Sequence, residues 1–166
     1  WATEVDISEV VQIVATVASR PLLVIGSGGS VTACHLIAKL QSEYARQPVR
    51  VLTPFEFSLQ PPDGISSVLL LSAGGSNRDI LGTASKAVSE SYESVCAMVA
   101  RTASPLRRLL EEHSHTLHAG FDVPFGKDGF LALNSLLATS VLASRAYASV
   151  FGTPWRPPTL DGLGQR

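Results

Sequence analysis

The chain has 166 residues, a formal net charge of −1, and 45% hydrophobic and 7% aromatic content, enough for one domain to bury a sizeable core without a metal or disulfide staple. Near-neutrality and the lack of Lys/Arg clusters exclude a nucleic-acid face, which needs several grouped cations; Arg101, Arg107 and Arg108 read as a solvated helix face. The two cysteines, Cys34 in a helical segment and Cys96 in an apolar run, point to reduced thiols in a cytoplasm rather than a disulfide framework.

The opening Trp1-Ala2-Thr3-Glu4-Val5-Asp6 is acidic where a secretory leader is basic, so no signal peptide is expected, and the non-methionine start suggests a processed or excised polypeptide. Val5, Ile7, Val10, Val11, Ile13, Val14 and Val17 form a helical stripe, which Arg20-Pro21 ends before the apolar run 22–25, the first strand. Gly26-Ser27-Gly28-Gly29-Ser30 turns the chain, and Ser30 is placed to cap a helix running to about Arg46 with Leu36, Ile37, Leu40 and Tyr44 inward. Pro48 admits a second strand over 49–53. After a Pro-rich loop at Gln60-Pro61-Pro62-Asp63-Gly64, the run 68–71 is apolar without alternation, as for a strand covered on both faces.

Ser72-Ala73-Gly74-Gly75-Ser76-Asn77 makes a second polar turn, with a helix after Asn77 whose core positions are Ile80, Leu81, Ala84, Ala87 and Val88. A fourth strand over 94–99, a short helix from Pro105 through Glu112, a weaker strand over 115–119 and a long helix over about 127–151 complete residues 1–152. Residues 153–166 form a Pro-rich tail or linker. The segment 129–152 is apolar but carries Asn134, Arg145 and several hydroxyls, so a buried or interface helix is expected and a membrane span is not. The βαβα rhythm predicts a three-layer α/β sandwich around a five-stranded parallel sheet, with ligands gathering at strand C-termini.

The chemistry concentrates in the two Gly/Ser turns. A helix N-terminus exposes unpaired N–H groups and the positive end of its dipole, glycine allows close approach, and hydroxyls add donors, so two such turns on one rim suit a shared anion, phosphate above all. Two better-known motifs fail. Val31 stands where a dinucleotide fingerprint needs a small residue, and Leu52, Thr53 and Pro54 stand where its acidic ribose ligand belongs. Gly126-Lys127 is followed by Asp128 instead of Ser/Thr, which excludes a P-loop. His113, His115 and His118 lack a carboxylate or cysteine spacing that would complete a metal site, and strand alternation would split them, so neither a metal nor any other cofactor is expected.

Together these residues resemble the SIS (sugar isomerase) domain family over about residues 5–152. Val24-Ile25-Gly26-Ser27-Gly28-Gly29-Ser30 is similar to the family's first loop, Leu70-Leu71-Ser72-Ala73-Gly74-Gly75 resembles its second, and Glu56-Phe57 is similar to a Glu-Phe pair in its glucosamine-phosphate isomerase branch. The resemblance implies a flavodoxin-like SIS fold that binds a phosphorylated sugar or sugar derivative through Ser27, Gly28, Gly29 and Ser30 on one side and Ser72, Gly75, Ser76 and Asn77 on the other. Gly74 and Asn77 replace hydroxyl residues of the family's second loop; the Asn77 amide and the Arg78 guanidinium can donate in their stead.

The resemblance also implies aldose-ketose isomerisation, with Asp128 or Glu56 as proton carrier and Lys127 with Asn134 as a polar edge of the pocket. Asp128 equally suits the first turn of the long helix as a stabilising acid. The family includes non-catalytic sensors and structural modules, so a module binding a sugar phosphate or nucleotide-type ligand is the alternative. The largely apolar helix over 129–151 has more hydrophobic circumference than one sheet face needs, and a homodimer or larger homo-oligomer is expected.

Overall fold

The computed structural model describes residues 1–90, 92–124 and 133–156. Six α-helices and five strands occur among them: α1 (Ser8–Val17), β1 (Leu22–Gly26), α2 (Ser30–Leu40), β2 (Val49–Leu52), α3 (Pro54–Ser58), β3 (Ser67–Ser72), α4 (Arg78–Ser89), β4 (Ser94–Val99), α5 (Pro105–Glu111), β5 (Thr116–Gly120) and α6 (Leu133–Val150). All strands are parallel in the order β2-β1-β3-β4-β5, which is the expected three-layer α/β sandwich.

The unbroken apolar runs of the central strands serve two cores at once. Leu22, Val24, Leu69, Leu71, Cys96 and Met98 pack with α1, α2 and α6 on one face, while Leu23, Ile25, Val68, Leu70, Val95 and Ala97 pack with α3, α4 and α5 on the other. Neighbouring side chains in a strand point to opposite faces, so a strand covered on both sides needs every position apolar. Burial at roughly 1.5–3 kcal/mol per large aliphatic side chain outweighs the cost of Gly82 inside α4, about 1 kcal/mol. Cys34 and Cys96 are free and buried, one in each of two successive layers, and burial pushes both thiols up to about 12. Among the described residues no helix is long and apolar enough to cross a membrane.

Three elements differ from the expectation. Ser30 does not cap α2 but is its first residue; the N-cap is Gly29, with no side-chain cap. That helix stops at Leu40 and passes into a π-helical turn, Gln41–Ala45, ended by Arg46 in the left-handed region at φ 54°. A five-residue helix, α3, stands where no element was expected, started by Pro54 and a capping box between Thr53 and Glu56.

The π turn has a physical reason in Gln41, which is wholly buried. Gln41 Nε2 donates to the Val17 carbonyl at 2.9 Å, and the Tyr147 hydroxyl donates to Gln41 Oε1 at 2.7 Å. The amide thus joins the C-terminus of α1 to α6 across the core, and the widened turn delivers it there. Two residues before Tyr147 on α6, Arg145 donates to the carbonyls of Ala2 and Val5 at 2.8 and 2.9 Å, fastening the N-terminal segment to α6.

Removing one partner of a buried polar pair costs more than the bond itself, because the survivor is left dry. Gln41→Leu is therefore expected to destabilise the fold by about 1–3 kcal/mol and Tyr147→Phe by about 1 kcal/mol, read as shifts in urea midpoint at unchanged slope.

Candidate functional site

β1 and β3 are direct neighbours, with Gly26 beside Leu71 in the register. The chain order reverses at this pair, β2 lying to one side and β4 to the other, which makes their C-terminal ends the crevice of the sheet. Both Gly/Ser turns leave from it. They line one cleft of about 280 Å³, whose walls include Ser27, Gly29, Ser30, Ser72, Ser76 and Asn77.

The first loop is open at its donor end. Gly28 takes the left-handed conformation at φ 57°, which turns the chain from strand to helix, and a Cβ placed on it would meet nothing within 4 Å. Gly26 answers a different need: a Cβ there would meet Cys34 Sγ at 2.6 Å, so only glycine lets α2 lie this close on β1. The carbonyls of Ser27, Gly28 and Gly29 accept from Ser30, Val31 and Thr32, while among the described residues no acceptor meets the N–H of Gly28 or Gly29. An ionic hydrogen bond contributes about 1.5–3 kcal/mol against about 0.3–1 kcal/mol for the helix dipole, so these N–H groups and the neighbouring hydroxyls dominate any anion affinity.

The second loop is closed on itself. The Ser72 hydroxyl accepts from Gly75 N–H at 2.9 Å, and Asn77 Oδ1 accepts from Asp79 N–H at 2.8 Å and Ile80 N–H at 3.3 Å, so the start of α4 is capped from within. Asn77 has its amide nitrogen left to donate. Gly75 is buried, at φ 62°, and does not line the cleft; a Cβ would meet the Ser104 side chain at 2.7 Å and Val99 at 2.9 Å, and its carbonyl accepts from Leu106 N–H at 2.9 Å. It pins the loop to the start of α5.

Arg78 faces away, into a groove of about 430 Å³ between α3 and α4 that includes Phe55, Phe57 and Lys86. Glu56 is not at the cleft either. Its carboxylate accepts from Thr53 N–H at 2.7 Å and Thr53 Oγ1 at 2.8 Å, and these bonds, the backbone one first, hold it below the usual carboxylate range. A carboxylate so engaged is a poor proton carrier. Lys127 and Asp128 lie outside the described residues; Asn134 opens α6, half-buried. No formally charged residue stands among the described residues that line the cleft.

Sequence reasoning missed a third wall. α6 brings Ser135, Leu136 and Thr139 against Ser30, Leu71 and Ser72. The signal available for it was a pair of hydroxyl residues, Ser135 and Thr139, one turn apart on that helix. The histidines stay dispersed: the rings of His113 and His115 meet edge-on at 6.2 Å, His118 Nε2 lies 3.5 Å from Glu111, His35 is exposed, and no metal-binding group of three assembles among the described residues.

The sequence matches no protein-family model and no curated relative. Solved structures do match. The Vibrio vulnificus NanR protein, complexed with ManNAc-6P, is 18% identical over 89% of this chain and 55% of that chain, TM-score 0.67. The C-terminal domain of glucosamine-fructose-6-phosphate aminotransferase from Francisella tularensis is 16% identical over 90% and 42%, TM-score 0.66. Tagatose-6-phosphate ketose/aldose isomerase from Escherichia coli is 10% identical over 87% and 40%, TM-score 0.68. The chain spans about half the length of these structures or less. At such identities the likeness bears on the fold, and the fold is the SIS-type sandwich that the two loops imply.

The two left-handed glycines differ in surroundings and so in tolerance. Gly28→Ala is expected to cost about 1–2 kcal/mol, the left-handed backbone penalty alone; Gly75→Ala adds overpacking of about 1–3 kcal/mol. Thermal melts of the two variants should rank in that order.

Proposed function

We propose that the chain binds a phosphorylated sugar or sugar derivative, its phosphate held across the cleft between the two Gly/Ser loops. The observation that carries this reading is the pair of N–H groups without an acceptor among the described residues, Gly28 and Gly29, at the start of α2, where Gly29 lines the cleft together with the hydroxyl-bearing second loop. Neutral donors suffice for a phosphate when several converge, as at other helix N-termini. Ser27, Ser30, Ser72 and Ser76 supply hydroxyls, Asn77 an amide, while Gly75 shapes the second loop and Arg78 reaches the ligand only by swinging back from its groove. That solved structures of the same fold include an isomerase of tagatose 6-phosphate and a protein complexed with ManNAc-6P supports the ligand class.

Within this reading, binding without chemistry is favoured for the described part of the site: no carboxylate lines the cleft and Glu56 is occupied as a helix cap. Proton transfer, if the chain performs it, falls to Asp128. The two free thiols fit a cytoplasmic setting. Leu133 and Leu137, one turn apart on α6 and 54% and 63% exposed, support self-association through that helix.

Isothermal titration with inorganic phosphate and hexose 6-phosphates tests the reading. Ser27→Ala and Ser76→Ala should each weaken both ligands at least about tenfold, since one ionic hydrogen bond contributes about 1.5–3 kcal/mol and tenfold is ~1.4 kcal/mol; absence of binding to every phosphate in wild type overturns it. Solvent deuterium uptake at a sugar carbon, lost in Asp128→Asn, would assign isomerase chemistry, and binding without uptake a sensor or structural module. In light scattering a dimer that dissociates in Leu137→Glu is expected.

A further inference from the structure

Behind the cleft lies a recess with room for the centre of one water-sized group, about 10 Å³, about the threshold for holding a single oxygen. It shares Ser30, Leu71 and Ser72 with the cleft, and α6 closes it with Leu136 and Thr139. A phosphate does not fit such a volume.

Thr139 differs from four other helical hydroxyls of this chain. Thr16, Thr83, Ser140 and Ser144 each donate to the carbonyl four residues back, at 2.7–2.9 Å, which satisfies the hydroxyl within its own helix. Thr139, only 9% exposed, makes no hydrogen bond among the described residues. Thr139 lines the recess, and its hydroxyl is not among the partnerless polar atoms sealed from solvent, which among the described residues are Glu90 Oε2 and the Tyr92 hydroxyl. The donor and acceptor capacity of the Thr139 hydroxyl is thus uncommitted within the described residues. Across from it, Ser72 Oγ already accepts from Gly75 N–H and has its own hydrogen to donate, and the Ser30 hydroxyl makes no bond among the described residues.

We propose that this recess is a hydroxyl subsite: it takes one uncharged oxygen of the ligand whose phosphate occupies the cleft, and Thr139 is a specificity-determining residue for the sugar portion. The inference rests on the phosphate reading of the cleft. Ser30, Ser72 and Thr139, three of the four hydroxyl residues that line the recess, can both donate to and accept from a sugar hydroxyl, whereas the apolar walls Leu71 and Leu136 disfavour a charged group. A site built around a ligand hydroxyl rejects analogues that lack it, because its own polar groups are then stranded.

The test compares inorganic phosphate with glucose 6-phosphate and fructose 6-phosphate, titrated into wild type, Thr139→Val and Thr139→Ser. The expected result is that at least one hexose 6-phosphate binds wild type more tightly than inorganic phosphate, loses about tenfold in Thr139→Val, and recovers in Thr139→Ser, while inorganic phosphate is unchanged throughout. Equal affinities in Thr139→Val and wild type, or equal losses for inorganic phosphate and sugar phosphates, overturn the subsite and leave the cleft standing. Failure of every phosphate to bind wild type, or indifference of the bound phosphates to Ser27→Ala, overturns the cleft reading instead. Should Thr139→Val not fold, deoxyhexose 6-phosphates on wild type decide: one deoxy position losing about tenfold supports the subsite, and none doing so overturns it.

Discussion

Pairing of β1 directly with β3 is the constraint from which the rest of the site follows. Once Gly26 lies beside Leu71, the residues after each strand must emerge on the same rim, and the helices that follow must diverge to opposite faces of the sheet, α2 to one core and α4 to the other. The divergence opens a crevice between two helix N-termini, whatever loop sequence follows. What the loops decide is how that crevice is furnished. The sheet sets the place, and a handful of glycines and hydroxyls set the chemistry.

The furnishing is unequal. α2 begins on glycine with no side-chain cap, so its first donors stay available, while α4 begins on Asn77, which commits its side-chain oxygen to Asp79 and Ile80. The first loop therefore has main-chain donors to offer beside its hydroxyls, whereas the second has side chains alone. This division explains why the second loop can depart from the pattern of hydroxyls it resembles: with its helix capped from within, it contributes Ser76 and the Asn77 amide at the edge of the cleft instead of main-chain donors at its floor.

The sheet, its order of elements and both loops were legible because each rests on local signals: apolar runs bounded by Pro and Gly, and polar turns after them. The π-helical turn was not, since it is imposed by a tertiary demand, a buried amide that must reach Val17 and Tyr147, and nothing near Gln41 announces it. Glu56 was misleading in a related way. Its place after β2 suits a family pattern, yet the residue three positions earlier, Thr53, makes it half of a capping box, a signature that a Thr-Pro-Phe-Glu string carries in plain sight. The α6 wall was hidden by long range: Thr139 meets Ser30 and Ser72 only because the last helix folds back over the first half of the chain. Arg78 follows a glycine-rich turn but its direction depends on the first turn of α4, which aims it at α3.

Gly75 governs the behaviour of the second loop as a whole. Its N–H is held by Ser72, its carbonyl by Leu106, and its missing side chain leaves Ser104 and Val99 to press on it from beneath. A ligand entering the cleft thus meets a second loop whose shape is already determined, and little of the interaction free energy is consumed in freezing it. On the proposed reading, such a loop favours rigid capture over adaptive closure and a narrow range of anion geometries over many.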